Sequence, residues 1–360
     1  MAELVPRAAP SSGSADPAEV FVRTLKAWQP KHRRIAILID RCETLGIFTK
    51  FLEADSEANR LQTRHYWTVG FAVFPGGIAL GLAILQLYAE LPHRLQAIWV
   101  ETALIGVSVL AVLQGLLFDW HKRWLVARYQ AERLRLLIFR MAIDPGLWRD
   151  EEPRHGDWPH WIKPRIARIE GLNVHTIAHE AERDARTALP APSSCMGISE
   201  DSVAALIDFY SATWLDSQLE YFQKKVHKEE GRVLDSAGLV NVAFAVSIGL
   251  VVIHITLEFA NRPNGSRLFL MLSALVPALF TSVRTYRSAR EASRNAARAS
   301  ARLVALSRYS DLLHGEDHDE KPKPEDRIWF LFTTLALSEA LLESEQREWL
   351  RLMLEAEWIG

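Results

Sequence analysis

Trp67–Ala89, WTVGFAVFPGGIALGLAILQLYA, and Ala97–Phe118, AIWVETALIGVSVLAVLQGLLF, decide how this chain folds. The first holds no ionisable side chain except Tyr88, and the second holds only Glu101. Each is about 22 residues, a helix of about 33 Å at roughly 1.5 Å rise per residue, against a hydrocarbon core of about 30 Å. Only ELPHRLQ lies between them. In lipid every backbone N–H and C=O must be satisfied within its own segment, so the pair predicts a transmembrane helical hairpin. The competing expectation is a hydrophobic hairpin buried in a large soluble protein. Trp67, Trp99, Trp120 and Trp124 oppose it, because they stand at the ends of the apolar runs where an aromatic belt meets headgroups.

Working outward, the composition averages two unlike parts. The 360 residues are 49% apolar and 24% charged, an ordinary globular mixture, yet four segments are nearly free of charge and the rest is rich in Arg and Glu. A mean hydropathy of -0.01 therefore describes neither part. The net charge of -2 excludes a globally basic nucleic-acid binder, and no nucleic-acid partner is expected. Cys42 and Cys195 are too few for a disulfide framework or a Cys-rich zinc site. Residues 1–18 lack an apolar core and read as a disordered tail, with no cleavable signal.

A first unit is expected over residues 19–144. It has an amphipathic start interrupted at Pro30, membrane helices at about 67–89 and 97–118, and a long basic helix continuing from Phe118 to the breaker Asp144-Pro145-Gly146. Residues 145–198 read as a Pro-rich linker with a helix from about Arg165 to Ala188. A second unit over residues 199–314 repeats the order: an amphipathic helix from Ser199, membrane helices at about 237–257 and 268–286, then a basic helix to Leu313. The span at 268–286 is the weaker, and its flanking Arg267 and Arg284 would snorkel to the two interfaces. Residues 315–360 form an acidic break and a C-terminal amphipathic helix. Ala36, Leu38, Ile39 and Asp40 match Ala204, Leu206, Ile207 and Asp208, and Arg133-Leu134 matches Arg302-Leu303, at the offset set by the hydrophobic runs. The two units therefore read as an internal duplication. Lys and Arg gather outside the hairpins, whose loops carry only Arg94, Arg262 and Arg267. The loops then face outward, and both termini lie in the cytoplasm.

Few residues suggest chemistry. Gly77 and Gly81 form a small-xxx-small pair suited to close helix packing. Gln114, Asn241 and Ser247 are candidates for helix-to-helix hydrogen bonds or a wetted pore wall, while Glu101 and His254 lie near the outer helix ends and reach the interface. Arg284, Arg287, Arg290, Arg294, Arg298 and Arg302 recur every three or four residues on one helical face. Such a stripe fits an anionic ligand, lipid headgroups, the acidic C-terminal region, or a purely topological role. His175, His179 and Glu180 sit in HTIAHE, where the Glu lies outside the imidazole pair, unlike HExxH, and the segment reads as solvated histidines on a helix. No GxxxxGK loop, GxSxG elbow or CxxC occurs, so no catalytic residue, metal or cofactor is expected and the chain does not read as an enzyme.

The segment DFYSATWLDSQLEYFQKKVHKEEGR, with Tyr210, Trp214, Gln218, Tyr221 and Lys224 at fixed spacing ahead of a hairpin and a basic helix, resembles the SLATT family. These are the SMODS- and SLOG-associating two-transmembrane effector domains of prokaryotes. The first half, ending in WLVARYQAERLRLL, looks like a diverged second copy, although it lacks that aromatic spacing upstream. The resemblance implies a homo-oligomeric, pore-forming or membrane-disrupting effector of a nucleotide-signalled antiviral defence system, with membrane lipids as partners. A separate protein would make or sense the nucleotide. The fold expected is an all-α integral protein of the bacterial inner membrane, multi-pass, with four membrane helices and long cytosolic helices in a bundle. The alternative is a non-conducting membrane scaffold or sensor that recruits a cytosolic partner.

Overall fold

A computed structural model describes residues 16–88, 94–149, 161–182, 189–260, 269–276, 280, 292–314 and 324–355. Among these residues there is no strand, and the chain is all-helical, with an isolated bridge between Arg149 and Ile198. Most of the expected tail, residues 90–93 and 261–267 of the two hairpin loops, residues 150–160 and 183–188 of the expected linker region, and most of the acidic break lie outside the described residues.

Contacts divide the chain into two compact units, each gathering segments from both halves of the sequence. The first takes its described residues from Met1–Asn59, Leu125–Gln218 and Arg308–Glu357. It holds α1 (Pro17–Lys26), α2 (Arg33–Thr44) and the start of α3 (Ile47–Tyr88). Asp16 caps α1 by accepting from the Ala18 N–H, with Pro17 in the first turn where its missing N–H costs nothing. Gly46, at φ 66°, separates α2 from α3 in a left-handed conformation that glycine adopts without steric cost. Most of α5 (Trp120–Ala142) follows, then the turn α6 (Pro145–Trp148), capped by Asp144 as the breaker sequence requires.

A single helix from Arg165 to Ala188 is not what forms. α7 (Ile162–Glu170) ends at Gly171, and α8 (Ile177–Glu182) begins after a turn in which Asn173 Oδ1 accepts from the N–H groups of His175 and Thr176. Asn competes with the helix for backbone donors, which is why it breaks the pattern. A short 3-10 turn at Pro192–Cys195 leads to α9 (Glu200–Tyr210), whose N-cap Ser199 accepts from the Ser202 N–H. A π-helical turn, Ser211–Leu215, joins α9 to α10 (Asp216–Phe259). The closing helices are α11 (Ala292–His314) and α12 (Pro324–Glu355).

Phe139 of α5 is the hub of the first unit's core. Its ring stacks on Trp214 at 4.2 Å, meets Tyr210 edge-on at 6.0 Å, and touches Phe21 at 5.9 Å. Trp148, also fully buried, donates its indole N–H to the Ala142 carbonyl at 2.6 Å and so closes the end of α5. Such rings supply large apolar area with fixed geometry. The second unit comprises described residues of Arg60–Trp124 and Leu219–Ser307, centred on the remainder of α3, α4 (Arg94–Phe118) and most of α10.

Candidate functional site

Two features stand out, one in each unit. In the second unit, the part of α3 beyond Asn59 and the whole of α4 carry apolar stretches, within Ile47–Gln86 and Gln96–Phe118, on helices long and apolar enough to cross a membrane, their most apolar 18 residues having mean hydropathy 2.0 and 1.9. The apolar run of α10 is shorter, Ala245–Leu257, and residues 281–291 lie outside the described residues. Only 6% of the apolar window of α4 is buried. Trp99, Leu110 and Leu117 are 74%, 67% and 77% exposed. A helix from the core of a soluble protein would hide these side chains.

The polar groups of the hairpin find partners inside it. Glu101 does not simply reach outward, since Gln86 Nε2 donates to its Oε2 at 2.9 Å. Pro75 sits inside α3 without ending it, and Ser108 Oγ donates to the Ala72 carbonyl one residue from the carbonyl that Pro75 leaves without its helical donor. A Cβ on Gly76 would stand 3.1 Å from Ser108 Oγ, so glycine there lets α4 approach. Gly77 is buried. A Cβ on Gly81 would stand 2.7 Å from Leu275 Cδ1, so a larger residue there would push that side chain aside.

The expected continuity of α4 into α5 fails at one residue. Asp119, at φ 48°, is left-handed and separates Phe118 from Trp120. The hydrophobic pattern runs through this point, so periodicity alone does not reveal the break.

In the first unit, Glu343 of α12 lies between arginines of two helices. Arg133 and Arg140 of α5 approach it at 2.6 and 3.0 Å, and Arg347 of its own helix at 2.7 Å. Burial acts to raise the Glu343 carboxyl, but the charge and hydrogen bond of Arg133, with Arg140 and Arg347, outweigh it and bring the group down to about 2. Nearby Arg165 is lowered to about 10 by burial and by the charge of Arg140. Glu339, one turn before Glu343, is fully buried and pushed up to about 8 by burial, against the opposing effects of Tyr210 and Arg140. Arg135 places its guanidinium over the Trp214 ring at 4.8 Å.

The acidic C-terminal helix thus engages arginines of α5, at positions that sequence reading did not single out. Arg133 was legible only as the counterpart of Arg302. Of the arginine stripe, Arg302 lies over the Phe222 ring at 5.1 Å. Arg284, Arg287 and Arg290 fall outside the described residues, as do the side chains of Arg294, Arg298 and Asn241. Gln114 is exposed on α4 and Ser247 is buried on α10. Of the aromatic spacing, Tyr210, Trp214 and Gln218 are buried, whereas Tyr221 is exposed and Lys224 pairs with Glu220.

An open cleft of about 590 Å³ lies by α7 and α8, lined by Arg168, Leu172, Thr176, His179, Glu180 and Glu182. His175 and His179 are exposed and Glu180 is buried. Among the described residues no group of three or more His, Cys, Asp or Glu is placed to hold a metal ion. Structure and sequence together define an all-helical protein with two helices long and apolar enough to cross a membrane. No protein-family model, curated protein or solved structure matches the chain.

Proposed function

We propose that the chain is an integral membrane protein with four membrane helices: one each from α3, α4 and the apolar part of α10, with residues 268–286 as the fourth. It works as a homo-oligomeric effector that permeabilises the bilayer. The resemblance to SLATT domains supplies the setting, a nucleotide-signalled prokaryotic defence system whose signal comes from a separate protein. The observation that carries the membrane reading is α4, an apolar helix whose side chains stay exposed along its length. In the bacterial inner membrane that the resemblance implies, the positive-inside bias supports cytoplasmic termini.

Dye release from liposomes containing the purified full chain tests the effector reading. Leakage that rises with protein density, under at least one activating nucleotide, is the expected outcome. Intact reconstituted oligomers that never leak would reject it. One observation favours a second reading, a non-conducting scaffold: Gln86, Glu101 and Ser108 satisfy one another or the backbone within the hairpin, leaving fewer polar groups to line a pore. Tight membrane association without leakage, together with capture of a cytosolic partner, would select that reading.

A further inference from the structure

Where α3 and α5 flank the end of α4, two cations converge on one ring. The Arg64 guanidinium of α3 lies 5.1 Å from the centroid of the Trp120 indole, and that of Arg123, from α5, lies 5.9 Å from it. Both arginines are exposed, and neither forms an ion pair with a carboxylate among the described residues. Asp119, four residues before Arg123, takes the Arg123 backbone N–H on its carbonyl at 3.0 Å. The surroundings are apolar and aromatic. Phe118 stacks on Trp120 at 5.3 Å, and Trp67, 63% exposed, stacks on Phe71 at 5.6 Å.

We propose that Arg64, Arg123 and Trp120 form a binding site for the headgroup phosphate of an anionic phospholipid at the cytosolic end of the α3–α4 hairpin. The site rests on the membrane reading above. A guanidinium over an indole uses its face for the ring and keeps its in-plane N–H donors free, the geometry in which arginine grips a phosphate bidentately. The left-handed turn at Asp119 separates Trp120 from the membrane helix, so that the ring meets arginines from two different helices. Exposed Trp67 and Phe118 offer apolar surface to acyl chains at the depth where Trp favours the interface. That apolar rim favours a lipid over a free phosphate, which has nothing to place against it.

The test uses the full chain in detergent micelles, titrated with short-chain phosphatidylglycerol, with phosphatidylcholine of the same chain length, and with inorganic phosphate, reading binding by native mass spectrometry. Phosphatidylglycerol is expected to bind at least about fivefold more tightly than phosphatidylcholine, and inorganic phosphate not to displace it. The double variant Arg64→Gln/Arg123→Gln should erase the preference. Lys31→Gln/Lys224→Gln, which removes equal charge from exposed positions elsewhere, should keep it. Equal binding of the two lipids by the unaltered chain overturns the site and needs no variant. Displacement by inorganic phosphate overturns the lipid assignment in favour of a free-phosphate site, and loss of preference in the lysine variant overturns the assignment to these two arginines. Cell fractionation separates the two readings: a soluble chain rejects the membrane protein itself, whereas a membrane-bound chain without headgroup preference rejects only this site.

Discussion

Burial of Glu339 sets how the inner end of α12 responds to pH. Ser338 Oγ donates its one hydrogen to the Leu335 carbonyl at 2.8 Å, and Tyr210 Oη lies 2.8 Å from Ser338 Oγ and 3.2 Å from Glu339 Oε1. Tyr210 Oη donates to Glu339 Oε1, which favours the ionised carboxyl, but full burial outweighs this bond and pushes the group up to about 8 against an ordinary 4.5. The sign of the pH effect follows. Between pH 4.5 and 8 the unfolded chain has released this proton and the folded chain holds it, so the native state loses stability as pH rises through that window. Glu339→Gln keeps an amide oxygen to accept from Tyr210 and carries no titrating proton. Its melting temperature should match the parent near pH 5 and exceed it by at least about 2 °C near pH 8.5; equal melting at both would reject the protonated carboxyl. Glu343 behaves oppositely. With its pKa drawn down to about 2, its stabilisation is present above 4.5 and is lost as pH falls towards 2. Glu343→Gln leaves Arg133, Arg140 and Arg347 without their shared carboxylate and should cost about 3–5 kcal/mol near neutrality, shrinking in acid, as denaturant melts at pH 7 and pH 3 would register.

At the scale of elements, the parts legible in the sequence are those with a strong local signal. The apolar runs gave α3 and α4, and Asp144-Pro145-Gly146 and Ser199 marked a helix end and a helix start where the structure has them. Two junctions were hidden because the hydrophobic period continues across them. One is the π-helical turn at Ser211–Leu215, where Tyr210, Ser211, Thr213, Trp214 and Leu215 are all buried, more than one face of a 3.6-residue period supplies. Thr213 Oγ1 donates to the Phe209 carbonyl at 2.6 Å within that turn. The other is Asp119, a residue type tolerated at positive φ but not diagnostic of it. The Arg133–Glu343 contact was invisible for a different reason: it joins residues far apart in sequence, and spacing within one helix carries no record of its partner. If the left-handed turn at Asp119 is built in, Asp119→Gly should be neutral or stabilise by up to about 1 kcal/mol, whereas Asp119→Val, β-branched and strained there, should cost about 1–2 kcal/mol. Thermal unfolding in detergent gives the order directly, and a more stable valine variant would show that the turn is not held at positive φ.

For the whole molecule, the proposed membrane reading divides into two crossings or four. The apolar windows of α3 and α4 meet the requirement for length, while the apolar run Ala245–Leu257 reaches only about 20 Å as a helix and must recruit flanking residues of α10 to span. What favours a second crossing pair is the repetition of form: α2 and the 42-residue α3 are echoed by α9 and the 44-residue α10, the order that the proposed duplication would set. Exposed Val246, Val252 and Ile255 on α10 continue the echo, since they would otherwise face water. Thiol labelling in intact cells decides between the two. Cys42 and Cys195 are buried, so introduced cysteines report cleanly. With four crossings, Pro92→Cys and Asn264→Cys, in the two hairpin loops, react with a membrane-impermeant reagent from outside, and Leu189→Cys, at a position 50% exposed, reacts only after permeabilisation. With two crossings, Pro92→Cys alone reacts in intact cells. Labelling of Leu189→Cys in intact cells would reverse the topology and, with it, place the arginine-rich helices on the wrong side of the positive-inside rule.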